Sequence, residues 1–237
     1  MAAGSLYLIP VPLAEGMEKS SYTLLHSEVI NSIDEYVVEN EKVARKFLKQ
    51  AGLNTPQSAL KFHDYGKHVR ERVNYNEVFA GVLAGKDMGL MSDAGCPAVA
   101  DPGADVVAEA HKRGIRVIPL VGPSSILLAL MASGFSGQKF AFHGYLPIDK
   151  QVRSQKIKEL ESQSLREQQT QIFIETPFRN PALFEELLRT AKPQTKLCVA
   201  CNVTAPDEFI LTLPISDWKN KKLDLHKKPT IFLLFSN

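Results

Sequence analysis

Short apolar runs alternate along this chain with segments whose apolar residues recur every third or fourth position. Residues 6–9, IDEYVVE, MGLMS and IRVIPL read as strands, because short apolar or alternating runs bounded by turn residues suit a pleated element. Between them lie an amphipathic segment reaching to about Ile30, then NEKVARKFLKQAG and NEVFAGVLAGKD, read as helices that stop at Gly52 and Gly85. Asp101 is expected to cap a further helix, with Pro102 at its first position and Gly114 past its end. This alternation predicts a mostly parallel sheet covered on both faces.

The second half mixes the same elements in a different order. Strands are expected at residues 139–143, 170–175, 196–201, 209–213 and 230–235, and helices at 124–132, 150–162 and 180–190. Strands that follow one another without helices near the end point to antiparallel pairs. The charged stretch KIKELESQSLREQQ is expected to be exposed. PLVGP divides the chain into an N-terminal α/β domain, 1–119, with a mostly parallel sheet, and a C-terminal α/β domain, 120–237, with a mixed sheet.

Composition narrows the classes. A chain of 237 residues, 44% hydrophobic, can build one large core or two modest ones. Its net charge of +2 makes any nucleic-acid surface a local one. Cys96, Cys198 and Cys201 do not form a disulfide framework, which points to the cytoplasm. The start, MAAGSLYLIP, lacks the pattern of a signal peptide. In the most apolar stretch, VIPLVGPSSILLALMASGF, Pro119, Gly122 and Pro123 break any membrane span.

Two loops rich in glycine and proline, PVPLAEG and SDAGCPAVADPG, follow expected strands, and GPSS follows a third and opens a helix. In an open α/β sheet such loops are where ligands bind. Their small residues let a ligand reach backbone groups, and Asp93 can pair with an amine or accept from a sugar hydroxyl. Neither GxGxxG nor GxxxxGK[ST] occurs, which gives no support to a Rossmann dinucleotide site and excludes a P-loop. Cys198 and Cys201 form C-x-x-C inside a strand pattern with no second ligand pair, so no metal is expected. On the helix NEKVARKFLKQAG, Lys42, Arg45, Lys46 and Lys49 share one face, opposite Val43, Ala44, Phe47, Leu48 and Ala51. His63 beside Asp64 is a candidate acid/base pair, and residues 61–75 mix basic and aromatic side chains, as RNA-binding surfaces do.

GLMSDAGCPAVADPG, IPLVGPSSILLALMASGFSGQKFAFHGYLP and IFIETPFRNP resemble, in order, the signature segments of the tetrapyrrole methylase superfamily. Within it they most resemble the bacterial methyltransferases that modify a cytidine 2′-hydroxyl in 16S ribosomal RNA. The resemblance implies two α/β domains with S-adenosylmethionine in the cleft between them, in a cytoplasmic homodimer. By position it implies cofactor contacts at Pro10, Ser92, Asp93, Ala94, Val99, Ser124, Ser125, Glu175 and Val203. It places His63 in a cleft loop, as a candidate proton acceptor, and Lys42 and Arg45 where cations would stabilise developing negative charge.

The chain departs from the RNA-modifying group at Glu39–Lys42 (ENEK for Glu-Asp-Thr-Arg) and Cys201–Ala205 (CNVTA for Arg-Glu-Leu-Thr-Lys). LAEG also stands where that group reads Gly-Asn-Leu. By the resemblance, each lies on the substrate side or at the cleft rim. The expected activity is 2′-O-methylation of ribosomal RNA, with the small ribosomal subunit as partner. The alternatives are methylation of a tetrapyrrole or other small molecule, and a cofactor-binding module without catalysis.

Overall fold

The computed structural model describes residues 3–66 and 73–237. The chain divides into two units, Met1–Ser124 and Ser125–Asn237, so the division falls a short loop beyond the expected break after residue 119.

The first unit is built on strands β1 (Ser5–Leu8), β2 (Glu35–Val38), β3 (Lys61–Asp64), β4 (Met88–Met91) and β5 (Arg116–Pro119). They form one sheet in the order β3-β2-β4-β1-β5, and every pairing is parallel. Helices α1 (Glu18–Ser21), α2 (Leu24–Ser32), α3 (Glu41–Gln50), α4 (Tyr75–Val78), α5 (Ala80–Leu83) and α6 (Gly103–Lys112) complete the unit. The pleat sends neighbouring residues to opposite faces. Tyr36 and Val38 pack with Val29, Ile30, Phe47 and Leu48 of α2 and α3. Val37 and Leu90 pack with Phe79, Val82 and Val106 on the other side.

Some elements differ from the sequence expectation, each for a local reason. All four residues of β2 are buried, Glu35 included, because the strand lies inside the sheet rather than half-exposed. NEVFAGVLAGKD forms two short helices broken at Phe79, whose backbone sits at φ −93°, ψ 6°. Pro102 is the capping residue of α6 rather than its first helical one, and the Asp101 carboxylate accepts from Gly103 N at 2.6 Å and from Ala98 N at 2.9 Å. Part of the basic-aromatic stretch, residues 67–72, lies outside the described residues.

The second unit carries β6 (Phe140–Tyr145), β7 (Thr170–Ile174), β8 (Lys196–Cys201), β9 (Phe209–Pro214) and β10 (Thr230–Phe235), in the order β6-β7-β10-β8-β9. The β6–β7 pair is parallel and the remaining pairs are antiparallel. Helices α7 (Ser125–Ser133), α8 (Lys150–Glu167), α9 (Asn180–Thr190) and α10 (Ile215–Trp218) accompany the sheet. The charged stretch expected to be exposed forms most of α8 and buries one stripe, Ile157, Leu160, Glu161 and Ser164. Their i, i+3, i+4, i+7 spacing turns them to one face. Glu161 is tolerated there because it accepts from Lys192 N at 2.7 Å and from the Thr195 hydroxyl at 2.5 Å.

Candidate active site

The parallel sheet has its topological switch point between β1 and β4. The chain leaves β1 toward the face of α2 and α3, and leaves β4 toward the face of α6. The crevice between such diverging loops is where open α/β sheets hold ligands. It is formed by the two glycine- and proline-rich loops singled out in the sequence.

These loops are tied to one another. Val11 N donates to Gly95 O at 2.9 Å, and Gly95 N returns a bond to Val11 O at 2.8 Å. The Cys96 thiol donates to Pro123 O at 3.3 Å, which joins the loop after β5. Gly122 lies so close to Pro10 that a Cβ there would sit 2.2 Å from the Pro10 Cβ. Asp93 N donates to the Glu39 carboxylate at 3.3 Å, which brings in the end of β2. The loop after β4 turns sharply, with φ of 76° at Gly95, 66° at Ala98 and 61° at Ala100. For the two alanines this left-handed backbone is costly, and the bond that Ala98 N donates to the Asp101 carboxylate offsets part of the cost.

Of the expected cofactor residues in this unit, Pro10 and Ser92 are buried, while Asp93, Ala94 and Val99 face solvent. The Ser92 hydroxyl donates to Ala94 O at 3.1 Å, which shapes the loop. The Asp93 side chain makes no hydrogen bond among the described residues, and partial burial raises its pKa. An ammonium or hydroxyl placed against it would relieve that cost. Leu13, Glu15, Lys46, Asp93 and Ala94 border a depression of about 180 Å³. Asp101 also has a raised pKa, because burial outweighs the bonds it accepts from Gly103, Ala98 and Ser92.

In the second unit, Glu175 follows β7 and Val203 follows β8, on the same edge of the sheet. Glu175 is buried and already engaged, accepting from Thr176 N and from Arg179, each at 2.6 Å. Val203 is buried, and Ser124 and Ser125 are half-buried at the start of α7.

Of the three expected catalytic residues, His63 is placed differently from the expectation, while Lys42 and Arg45 lie on α3 as expected. His63 is not in a loop: it is the third residue of β3, buried, with Nε2 2.7 Å from Glu35 Oε1. Its side chain is committed to the sheet, because Glu35 lies at the opposite end of β2 from the ligand-binding edge. Arg45 is held by Glu41 at 2.7 Å, by Gln57 O at 2.6 Å and over the Phe62 ring at 4.4 Å. Lys42 is exposed in the first turn of α3, which Asn40 caps. On the same basic face Lys46 pairs with Glu15, while Lys49 is exposed.

Glu39 and Cys96 do part of the positioning, and sequence reasoning gave neither a role. Glu39 reaches the backbone of a residue 54 positions away, and no local pattern announces such a contact. Cys198 and Cys201 are buried free thiols, and no group of residues suited to a metal ion occurs among the described residues.

A parallel sheet with tied loops at its switch point, followed by a mixed sheet, defines a two-unit α/β protein with a ligand-binding crevice in its first unit. Its fold matches that of the methyltransferase CobJ with a TM-score of 0.63 at 17% identity, over 99% of this chain and 95% of that one. It also matches a uroporphyrin-III C-methyl transferase from Thermus thermophilus, solved with S-adenyl homocysteine, with a TM-score of 0.59 at 16% identity, over 98% of each chain. The chain belongs to the Tetrapyrrole (Corrin/Porphyrin) Methylases, whose family pattern matches residues 20–218. It is thus an S-adenosylmethionine-dependent methyltransferase. Similar sequences include a protein named Ribosomal RNA small subunit methyltransferase I from Vibrio cholerae, 29% identical over 90% of this chain and 69% of that protein. A protein of the same name from Synechocystis is 30% identical over 85% of this chain and 67% of that protein.

Proposed function

We propose that this enzyme methylates a ribose 2′-hydroxyl in the RNA of the small ribosomal subunit. The observation that carries this reading is the similarity, over most of the chain, to proteins named for methylation of that RNA. S-adenosylmethionine would supply an activated methyl group on its sulfonium.

The residues of the first unit suit that cofactor, which presents an ammonium, a carboxylate and a ribose diol. Asp93 offers a carboxylate to the ammonium or a hydroxyl. The loops at Pro10 and Ser92–Val99 offer backbone donors and acceptors that are already positioned. In the second unit the loops bearing Glu175 and Val203 are the candidates, with Ser124 and Ser125 at the junction. The protein's main tasks are to align the acceptor oxygen with the methyl group and to exclude water. With His63 and Arg45 engaged in internal contacts, Lys42 is the expected catalytic side chain left available to a substrate. The reading extends to a cytoplasmic homodimer. Leu127 and Met131, one helical turn apart on α7 and 51% and 79% exposed, offer an apolar surface for self-association.

The test is incubation with labelled S-adenosylmethionine and small ribosomal subunits from cells lacking the protein. Label mapped to a ribose of the RNA is the expected result. Label that appears only on an added tetrapyrrole would overturn the RNA reading, and no transfer to either would favour the binding-module alternative.

A further inference from the structure

The edge of the second sheet that bears Glu175 and Val203 also carries a feature that the family resemblance does not assign. Register places Ile231 opposite Ile174 and Thr230 opposite Cys201, so the loop leaving β7, the loop leaving β8 and the loop entering β10 meet there. They are bonded together. Lys227 N donates to Pro177 O at 3.0 Å, and Asn202 N to Pro229 O at 2.9 Å. The Asn180 side chain donates to Lys228 O at 2.7 Å. Leu225, fully buried, anchors the loop to the core.

On this braced edge Phe178 stands 67% exposed. The Lys227 ammonium lies 5.7 Å from its ring centroid, and the His226 ring meets its edge at 5.9 Å. Three residues here hold left-handed backbone without being glycine: Asn202 at 49°, Thr204 at 75° and Lys227 at 60°. Such strain persists only where the surroundings enforce it. Arg179 Nε and Thr204 Oγ1 are buried without a hydrogen-bond partner among the described residues.

Charge points the same way. KNKKLDLHKK, residues 219–228, holds five lysines and one aspartate, and elsewhere in the chain acidic residues outnumber basic ones. The segment runs from α10, which follows the β9 end paired with Lys196, to the edge that carries Phe178. At its end Lys227 reaches the exposed ring, and beside it the Lys228 ammonium lies 3.8 Å from the exposed Asp224 carboxylate, a surface pair that a phosphate can replace.

We infer that Phe178, His226, Lys227 and Lys228 form a docking platform for single-stranded RNA. One base stacks on Phe178, and the adjoining phosphates meet Lys227 and Lys228. An aromatic ring flanked by cations suits a nucleotide better than an acidic peptide, which offers carboxylates but no face to stack. This inference rests on the proposed RNA substrate and adds the surface that holds it.

The experiment is titration of the full chain with a fluorescent single-stranded oligonucleotide of small-subunit ribosomal RNA, at several salt concentrations. Thermal unfolding and circular dichroism of each variant serve as folding controls. Phe178→Ala is expected to weaken RNA binding about tenfold, and Phe178→Trp to retain it. Lys227→Gln with Lys228→Gln should reduce the slope of log affinity against log salt by about 1.4. Wild-type affinity in Phe178→Ala, or equal losses in Phe178→Ala and Phe178→Trp, would overturn the platform. So would polyglutamate competing as well as RNA does. If the wild-type enzyme neither binds nor methylates the RNA, the RNA reading falls and the platform with it. If the wild type methylates and Phe178→Ala matches it in binding, only the platform falls.

Discussion

Glu35 and His63 hold each other inside the first sheet, with Nε2 of the imidazole 2.7 Å from a carboxylate oxygen and both side chains over nine-tenths buried. Lys61, at 2.8 Å from the same oxygen, closes the group from the solvent side. The contact joins β2 to β3 across adjacent parallel strands. A histidine that looks available in the sequence is thus engaged in a buried contact between two strands.

Removal of His63 should therefore act on stability. His63→Ala would leave a buried carboxylate with Lys61 as its remaining charged partner, and is expected to cost about 1–3 kcal/mol in urea unfolding. Single-turnover methyl transfer by the folded variant should match the wild type across pH 6–9. A rate loss of a hundredfold or more without loss of stability would return His63 to the chemistry.

Glu35 gives that contact a pH dependence. Burial pushes its pKa up, but hydrogen bonds from His63 and Lys61 outweigh burial and leave it below the usual glutamate range. A carboxylate with a depressed folded pKa stabilises the protein above its unfolded pKa, and the contribution fades as pH falls through the folded value. The stability gap between wild type and Glu35→Gln should thus be full at neutral pH and should narrow below about pH 4.5. Denaturant titrations from pH 7 to pH 3 measure it, and a gap that widens on acidification would contradict the assignment.

Asp93 and Asp101 lie in one loop and should separate by readout. Asp93→Ala is expected to weaken S-adenosylmethionine binding by about 1–3 kcal/mol in calorimetry, with unchanged unfolding, because its carboxylate supports no internal bond among the described residues. Asp101→Ala strands Ala98 N and Gly103 N and should lower stability by about 1–2 kcal/mol.

Gly122→Ala tests how closely the two loops approach. Its new Cβ would meet the Pro10 ring at 2.2 Å, so one loop must move. A loss of about 1–3 kcal/mol in stability, with weaker cofactor binding, is expected by thermal unfolding and calorimetry.

The basic face of α3 should divide in the same way. Arg45→Ala removes bonds to Glu41 and Gln57 and the contact over Phe62, and should cost about 1 kcal/mol. Lys42→Glu with Lys49→Glu should leave unfolding unchanged and lower RNA affinity with a flatter salt dependence. Equal RNA affinity in the double variant would make this face a solvated one.

The sequence by itself determined the alternation of elements and the two loops at the switch point. Apolar spacing and turn chemistry act over a few residues, so they can be read without knowing the fold. Strands β8 and β10 and helix α9 fall at the expected residues for that reason. Only the tertiary structure decided what the polar side chains do. His63, Arg45 and Glu39 each spend their polar atoms on partners at least 12 positions away, 28, 12 and 54 respectively, Arg45 also pairing with nearby Glu41. Phe178 meets His226 and Lys227 only because antiparallel β10 brings its entry loop back beside the end of β7. A hydrogen bond or ring contact depends on distances of a few ångströms, and chain closure over dozens of residues sets those distances.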